Sequence, residues 1–545
     1  MKNKLKSFFK IRNTSQIVVS IILLTLIVLP IVRMLFNINY GALKSVFGSE
    51  NFYLSLLNSI TSTLVATIFS LILAYFLAWA ITRTNIKFKY LFTVILTLPM
   101  LIPSISHGMG LTILFGNNGI ITRLFNSEST IYGFWGVVFG SVLYSFPVAF
   151  IMICDILKYE DYSQYEAANV LGIPKFRQFS SITLPYLRKP MISVIFAIFT
   201  MIITDYGVTL SVGGKFKTLS VMLYEDAVGQ LNYSTGSVIG LILLLPAISA
   251  FIFDLFNNDK GSSSYVHKKY KSKSKISSIV GYIIVITNSL LVLTVFFSFI
   301  IQAFAKSYPS DLTFTFDHFN NTFSKNGGKY LLNSLLMSFF TALFGVAFAT
   351  STAYLSARLK TRYSKILHLF SIVSLAVPGL VLGLAYVIIF KKTFFYGTMV
   401  ILIMVNIAHF FASPYLMIYN AFGKINENLE DVGHILNIKR SKIFFDVIIP
   451  QCKNSLIEMF TYFFANSMMT ISAVSFLSTP NNKPISLLIN QFETFNMLES
   501  AAVVAILILL VNVSIKLIFY IIKKAGNRHD NKKAIWHLGW VYRRE

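Results

Sequence analysis

The sequence predicts an all-α integral membrane protein with about twelve transmembrane helices. Three observations carry that prediction: the scarcity of charge, the number of long apolar segments, and the side on which the basic residues fall. Of 545 residues, 55% are hydrophobic and 13% charged, with a mean hydropathy of +0.67. An ordinary soluble domain carries about 25% charge, so this chain has too little to cover several water-facing domains. Its 47 Lys and Arg against 22 Asp and Glu leave a formal net charge of +25. Such an excess suits either nucleic acid or membrane loops, and its placement decides between them.

A span needs about 20 mostly apolar residues. Segments of that kind run roughly over 17–36, 56–81, 90–115, 133–154, 190–212, 236–256, 278–304, 332–356, 366–390, 396–418, 455–477 and 501–522. The first follows Lys2, Lys4, Lys6, Lys10 and Arg12. Its apolar run is too long for a signal peptide and no small-x-small cleavage site follows, so an uncleaved helix is expected. With the N-terminus in the cytoplasm and spans alternating, the inside segments hold 35 Lys and Arg and the outside segments 10; Arg33 and Lys516 lie within spans. This positive-inside bias puts both termini in the cytoplasm and favours an even number of spans. No basic patch is interleaved with aromatics as a nucleic-acid face requires, so no nucleic-acid partner is expected. The basic tail 523–545, with Trp536 and Trp540, is suited to the anionic inner leaflet of the lipid bilayer. Cys154 and Cys452 both fall on the cytoplasmic side, where thiols stay reduced, and two cysteines make no disulfide framework.

The chain repeats itself. Leu57-Asn58-Ser59 opens the second span and Leu332-Asn333-Ser334 the eighth, an offset of 275; Pro103 and Gly108 in the third span recur as Pro378 and Gly383 at the same offset. Residues 257–277 are rich in Ser and Lys, cannot bury a core, and read as a linker. The expected organisation is a first six-span half over 1–256, the linker 257–277, a second six-span half over 278–522 in the same orientation, and the tail 523–545.

The loop after the fourth span of each half carries the chief motif. In the first half, within 160–190, Glu166-Ala167-Ala168 is followed by Gly172, Ile182, Leu184 and Pro185. Glu166 to Val170 favours helix, Gly172 permits a left-handed turn, Pro174 suits the first turn of a following helix, and Leu184-Pro185 is expected to break the chain before the next span. In the second half, within 425–454, the corresponding residues are Asp431, Val432, Gly433, Asn437, Val447, Ile449 and Pro450, at a constant offset of 265. This copy is degenerate, but Asn tolerates the left-handed turn better than other residues with a Cβ. Geometry alone leaves an ordinary amphipathic loop as open as a docking element.

The pattern E-A-A-x3-G-x9-I-x-L-P resembles the EAA loop of the membrane subunits of binding-protein-dependent ABC importers. The chain is similar to the fused two-half permeases of the ferric iron, thiamine, polyamine and 2-aminoethylphosphonate group. The string Met469 to Pro480 is most similar to the ferric-iron and aminoethylphosphonate members. The resemblance implies two tandem six-helix type I ABC importer permease halves in the bacterial cytoplasmic (plasma) membrane. It implies two copies of an ATPase subunit docked on the two loops, through Glu166, Ala167, Ala168, Gly172, Ile182, Leu184 and Pro185 and through Asp431, Gly433, Asn437, Val447, Ile449 and Pro450. It also implies an extracytoplasmic binding protein that delivers a small solute, docking on loops such as 213–235, 305–331 and 478–500. ATP and Mg would be used by the partner ATPase, and this chain would bind no cofactor. The chain itself has no phosphate-binding loop: Gly214-Lys215 is followed by Phe216 and Gly328-Lys329 by Tyr330.

Polar residues within spans are costly and often functional. Asp205 in the fifth span is the first candidate for the translocation path, with Tyr206 beside it and Ser472 as the rough counterpart in the second half. A plain polar contact between helices is the competing role. His107, Asn406, His409, Asn466 and Asn512 suit interhelix hydrogen bonds. No His/Cys/Asp/Glu cluster falls within a span, so no metal site is expected. No nucleophile-base or paired-carboxylate arrangement recurs, so an enzyme is not expected. The alternative architecture is a twelve-helix secondary transporter of the major-facilitator kind, in which the EAA-like loop has no role.

Overall fold

The computed structural model of the protein describes residues 14–125, 131–257, 274–359, 361–426 and 428–541. The basic residues before Thr14, linker residues 258–273 and tail residues 542–545 lie outside the described residues. The principal helices, in order, are α1 (Thr14–Leu35), α2 (Glu50–Arg83), α3 (Ser104–Phe115), α4 (Phe134–Lys158), α5 (Ser163–Val170), α6 (Leu184–Ile203), α7 (Gly207–Val212), α8 (Tyr233–Asn257) and α9 (Lys275–Phe304). They continue with α10 (Gly327–Ala353), α11 (Gly379–Phe390), α12 (Met399–Phe410), α13 (Ala412–Gly423), α14 (Leu429–Ile435), α15 (Lys453–Met469), α16 (Ser486–Thr494) and α17 (Leu498–Val541). Among the described residues the single sheet is a hairpin of Ala305–Ser307 with Asp311–Phe314, just after α9.

Each of the twelve apolar segments is helical, but not all are straight. Among the described residues eight helices are long and apolar enough to span a membrane, and two bent pairs raise this to ten. The bent pairs are Arg362–Ala376 with α11, at 105°, and α12 with α13, at 55°. Segment 90–115 is broken by a 3-10 turn, Leu98–Leu101, ahead of Pro103, and α15 is only 17 residues long. The breaks follow the repeat. Leu98–Leu101 and Val373–Ala376 differ by 275, and Pro103 and Pro378 cap α3 and α11.

Helices in a membrane gain little from hiding apolar surface and associate through close packing, which small side chains permit. The buried stripe of α2 shows this: Ser59, Ser62, Thr63, Ala66, Thr67, Ser70, Ala74 and Ala78 lie on one face. α10 buries the same positions at an offset of 275, from Ser334 to Ala353. Ser70 is hydrogen-bonded to Ser145 of α4 at 2.7 Å. Its counterpart is Gly345, where an added Cβ would sit 2.9 Å from the Phe463 ring, so glycine there makes room for an aromatic.

The first span of each half crosses to the other. Gln16 on α1 donates to the carbonyls of Leu355 and Leu359 at 2.7 and 3.0 Å, and Tyr386 on α11 donates to Leu26 O at 2.8 Å. In turn α9 packs on α2 and α3. The two halves are therefore interlocked rather than merely adjacent.

Candidate functional site

Two loops at one end of the bundle and a cavity between the halves make up the site. In the first loop, α5 ends in a Schellman arrangement. Gly172 takes φ +66°, and Ile173 N–H donates to Ala168 O at 2.9 Å, closing the last helical turn. In the second loop Asn437 takes φ +56°, and Ile438 N–H donates to Gly433 O at 2.8 Å. The degenerate copy thus keeps the same turn. Gly433 has its own reason to be glycine, because an added Cβ would meet Ile443 Cδ1 at 2.1 Å. The residue matching Ile443 in the first loop is Gln178, which instead donates to Asn169 and to Ile173 O.

The expected break at Leu184-Pro185 is not found. Residues 175–203 form one continuous helical run, with a π turn at Phe179–Thr183 immediately before the proline. At Pro450 a π turn, Phe444–Ile448, likewise precedes the proline, but the helix runs only to Gln451 and is interrupted at Cys452 before α15. A π turn shifts the hydrogen-bond register by one residue, so a proline lacking an N–H is absorbed without ending the helix. Ala168 and Gly433 face inward, whereas Glu166 is half-buried and Ala167, Gly172, Asp431 and Asn437 are exposed or nearly so. Beside them is an apolar edge open to solvent: Val170, Leu171 and Phe176 in one loop, Ile435, Leu436 and Ile438 in the other. Ile182, Leu184, Val447 and Ile449 continue along the helices that leave the loops.

Neither loop hangs free, which the sequence analysis missed. Arg83, at the end of α2, is buried against the carboxylate of Glu160 and donates to Tyr165 OH at 3.0 Å. The Tyr165 hydroxyl also bonds Thr183 Oγ1 at 2.6 Å. Arg358, just beyond α10, donates through Nε to Glu430 at 2.8 Å and to the carbonyls of Ile425 and Asn426 at 2.8 and 2.7 Å. Both arginines entered the charge count only as markers of orientation. Their shared offset of 275 with Asn58 and Asn333 was the available clue.

At the opposite end Asn58 and Asn333 have the same task. Asn58 donates to Lys217 O at 3.0 Å, and Asn333 to Asn481 O at 3.0 Å and Lys483 O at 3.2 Å. Ser59 accepts from Leu219 N–H at 2.7 Å and Ser334 from Ile485 N–H at 2.8 Å. The Asn-Ser pairs therefore grip the backbone of the segments that follow α6 and α15. Gly108 and Gly383 let those segments lie close, since a Cβ at either would come within 2.7 Å of Ser211 Cβ or within 2.6 Å of Ala473 O.

Between the halves lies a cavity of about 540 Å³. Asp205 and Ser472 line it, together with Tyr144, Thr200, Ser374, His409, Ser413 and Tyr462. Among the described residues Asp205 is its one carboxylate, and neither Lys nor Arg lines it. The Asp205 carboxylate also accepts from Val208 N–H at 2.9 Å and so caps α7. The carboxylate thus both holds the start of α7 and faces the cavity. Tyr206 does not line the cavity. It is buried, stacks on Tyr224 with centroids 4.6 Å apart, and donates to Ile471 O at 3.3 Å. The counterpart of Asp205 is Thr470 rather than Ser472. Ser220 donates to Asp205 O and Ser486 to Thr470 O, each at 2.7 Å; the acceptors share the loop offset of 265, and the donors are 266 apart.

Beyond the far end of α6 the halves are joined. Ser211 donates to Glu493 at 2.8 Å and Asn490 to Tyr224 OH at 3.1 Å. Burial pushes the Glu493 carboxyl up to about 8. These contacts, with Tyr206 on Ile471, close the far side of the cavity.

The sequence matches the family described as binding-protein-dependent transport system inner membrane component over residues 70–260 and 343–525. The first stretch contains Glu166 to Pro185 and the second Asp431 to Pro450. The chain is 25% identical to a putative ferric transport system permease protein of Haemophilus influenzae, across 71% of this chain and 64% of that protein. It is 24% identical to a ferric transport system permease protein of Actinobacillus pleuropneumoniae, across 71% of this chain and 59% of that protein. A thiamine transport system permease protein of Brucella suis is 21% identical over 54% of each chain. The chain thus spans less than two thirds of the length of the two ferric relatives. None of the three is named for a phosphonate, and that cargo is left without support.

Proposed function

Because the chain belongs to the family of binding-protein-dependent transport system inner membrane components, a family of non-catalytic permeases, we propose that it is the membrane subunit of an ATP-driven importer of ferric iron. The family membership displaces the secondary-transporter alternative. The observation that carries the coupling is the loop built twice. Two Schellman turns at an offset of 265, Gly172 and Asn437, each sit beside an apolar edge that none of the described residues covers. Exposed apolar patches of this kind mark interaction sites. In this reading the loops face the cytoplasm, and each seats one copy of an ATPase subunit that binds ATP and Mg. Closure of the ATPase pair draws the loops together and rocks the interlocked halves, alternating access to the cavity. A binding protein delivers the cargo at the far side, where the Glu493 and Tyr224 contacts must part.

Iron is favoured by the two ferric relatives and by the charge of the cavity. A chamber with one carboxylate and no lining cation attracts a positive ion and repels an oxyanion. The test is direct. The tagged full chain is purified in detergent from its native membrane, and an ATPase subunit is expected to accompany it. Reconstituted with that ATPase and the iron-loaded binding protein, it is expected to accumulate ⁵⁵Fe only when ATP is present. Accumulation without any ATPase would refute the importer reading. ATP-dependent transport that ignores iron would refute the cargo alone.

A further inference from the structure

α2 and α10 are each fastened at both ends, and to parts of the molecule that the proposed function requires to move together. At the loop end of α2, Arg83 holds two points of the first loop directly and reaches a third through the Tyr165 hydroxyl. Glu160 lies before α5, Tyr165 within it, and Thr183 at the root of α6. Arg83 and Glu160 are 4% and 3% exposed, so water does not compete for the ion pair. At the far end, Asn58 and Ser59 hold the backbone of Lys217 and Leu219, in the segment that closes the cavity. From Ser59 to Arg83 the helix rises about 36 Å at 1.5 Å per residue, without an internal proline.

The second half repeats the plan with different chemistry. Arg358 holds Glu430 and the carbonyls of Ile425 and Asn426, while Asn333 and Ser334 hold Asn481, Lys483 and Ile485. Glu430 stands at the position of Tyr165, 265 residues on, next to Asp431 as Tyr165 is next to Glu166. In the first half the arginine reaches the loop helix through a tyrosine hydroxyl; in the second the helix supplies the carboxylate itself. Different residues reaching one joint in both halves argue that the joint, not the sequence, is what is kept.

We infer that α2 and α10 are push rods, and that Arg83 with Tyr165 and Arg358 with Glu430 are the positioning residues that lock each rod to its loop. A displaced loop drags its arginine, the rod transmits the shift along its axis, and the Asn-Ser pair moves the closing segment. This inference rests on the proposed function, in which the loops are what an ATPase moves. The coupling between rod ends is nonetheless a property of this chain alone.

The experiment exploits that. Tyr165→Phe removes the hydroxyl but keeps the ring, and Glu430→Gln removes the charge but keeps the shape, so both variants are expected to fold. Amide hydrogen exchange is followed in the full chain in lipid nanodiscs, without ATPase. Tyr165→Phe is expected to speed exchange at Leu219 N–H about threefold or more and leave Ile485 N–H unchanged. Glu430→Gln is expected to do the reverse. Loss of general stability would raise both together, so the half-specific pattern separates transmission from mere destabilisation. Changes confined to residues 155–190 or 420–455, or equal changes at Leu219 and Ile485, would overturn the push rods. With the ATPase and the iron-loaded binding protein present, each variant is expected to retain bound ATPase and hydrolysis while iron moved per ATP falls. An undiminished ratio would also overturn them. If the two variants show the half-specific exchange pattern yet the wild-type chain retains no ATPase, the importer reading is refuted and the rods are left standing.

Discussion

The sharpest quantitative prediction concerns Gly172. Its φ is +66°, and an added Cβ would meet nothing within 4 Å. Replacing it therefore costs no contact, only backbone conformation. Holding a residue with a Cβ in the left-handed region costs about 1–2 kcal/mol, a factor of about 5–30 in the population of the turn. Gly172→Ala should lower protection of Ile173 N–H, the amide bonded to Ala168 O, by that factor in hydrogen exchange. Gly172→Asn should lose less, as Asn437 already holds the same conformation in the other loop. Gly433→Ala makes the contrast, because the obstacle there is Ile443 Cδ1 at 2.1 Å. Removing that methyl with Ile443→Val should rescue it, whereas no neighbouring change should rescue Gly172→Ala. If Gly172→Ala exchanged like wild type at Ile173, or if α6 amides opened too, the conformational argument would be wrong.

Three further outcomes are expected. The buried Glu493 carboxyl is raised to about 8, against about 4.3 for an exposed glutamate; the joined arrangement thus binds an extra proton. Its stability is fully present below the lower value and is lost as pH rises through about 8, so the thermal midpoint in nanodiscs should fall over that window in wild type and stay flatter in Glu493→Gln. Asn58→Ala and Asn333→Ala each remove a side-chain grip on the closing segments. Each should cost about 1 kcal/mol, with faster exchange near Leu219 or Ile485 respectively; no change at either would show the grips to be idle. Asp205→Asn keeps an N-cap for α7, since Asn caps as well as Asp, but removes the cavity's charge. It should retain the thermal midpoint and lose iron uptake, whereas Asp205→Ala should lose both, and equal uptake by wild type and Asp205→Asn would remove the charge from the account.

Much of this was legible in the sequence because membrane proteins write their constraints as spacing. The apolar segments, the two offsets and the left-handed turns at Gly172 and Asn437 followed from periodicity and backbone sterics. Asn58 and Asn333 were singled out by recurrence alone; only the structure shows that they hold backbone carbonyls. The break at Pro185 was misjudged because a π turn, Phe179–Thr183, cancels the helix-ending tendency of proline. Asp205 was paired with Ser472 rather than Thr470 because near the break no side chain repeats, and the match survives only in backbone acceptors. The arginine joints were hidden for a different reason. A buried ion pair across 72 or 77 residues leaves no local pattern, and Tyr165 and Glu430 share a position without sharing a chemistry.

The pairing of Asp205 with Thr470 and of Tyr206 with Ile471 has a consequence for what the chamber can distinguish. Two identical subunits around a dyad would present every group twice: two carboxylates or none, and two rings contending for the axis or none. One continuous polypeptide is free of that parity. Here a tyrosine spans the midline to the backbone of its mate, and among the described residues a single acid faces the void. The chamber is therefore one-sided, with an odd formal charge among the described lining residues and a handedness of its own, so what it presents to one half differs from what it presents to the other.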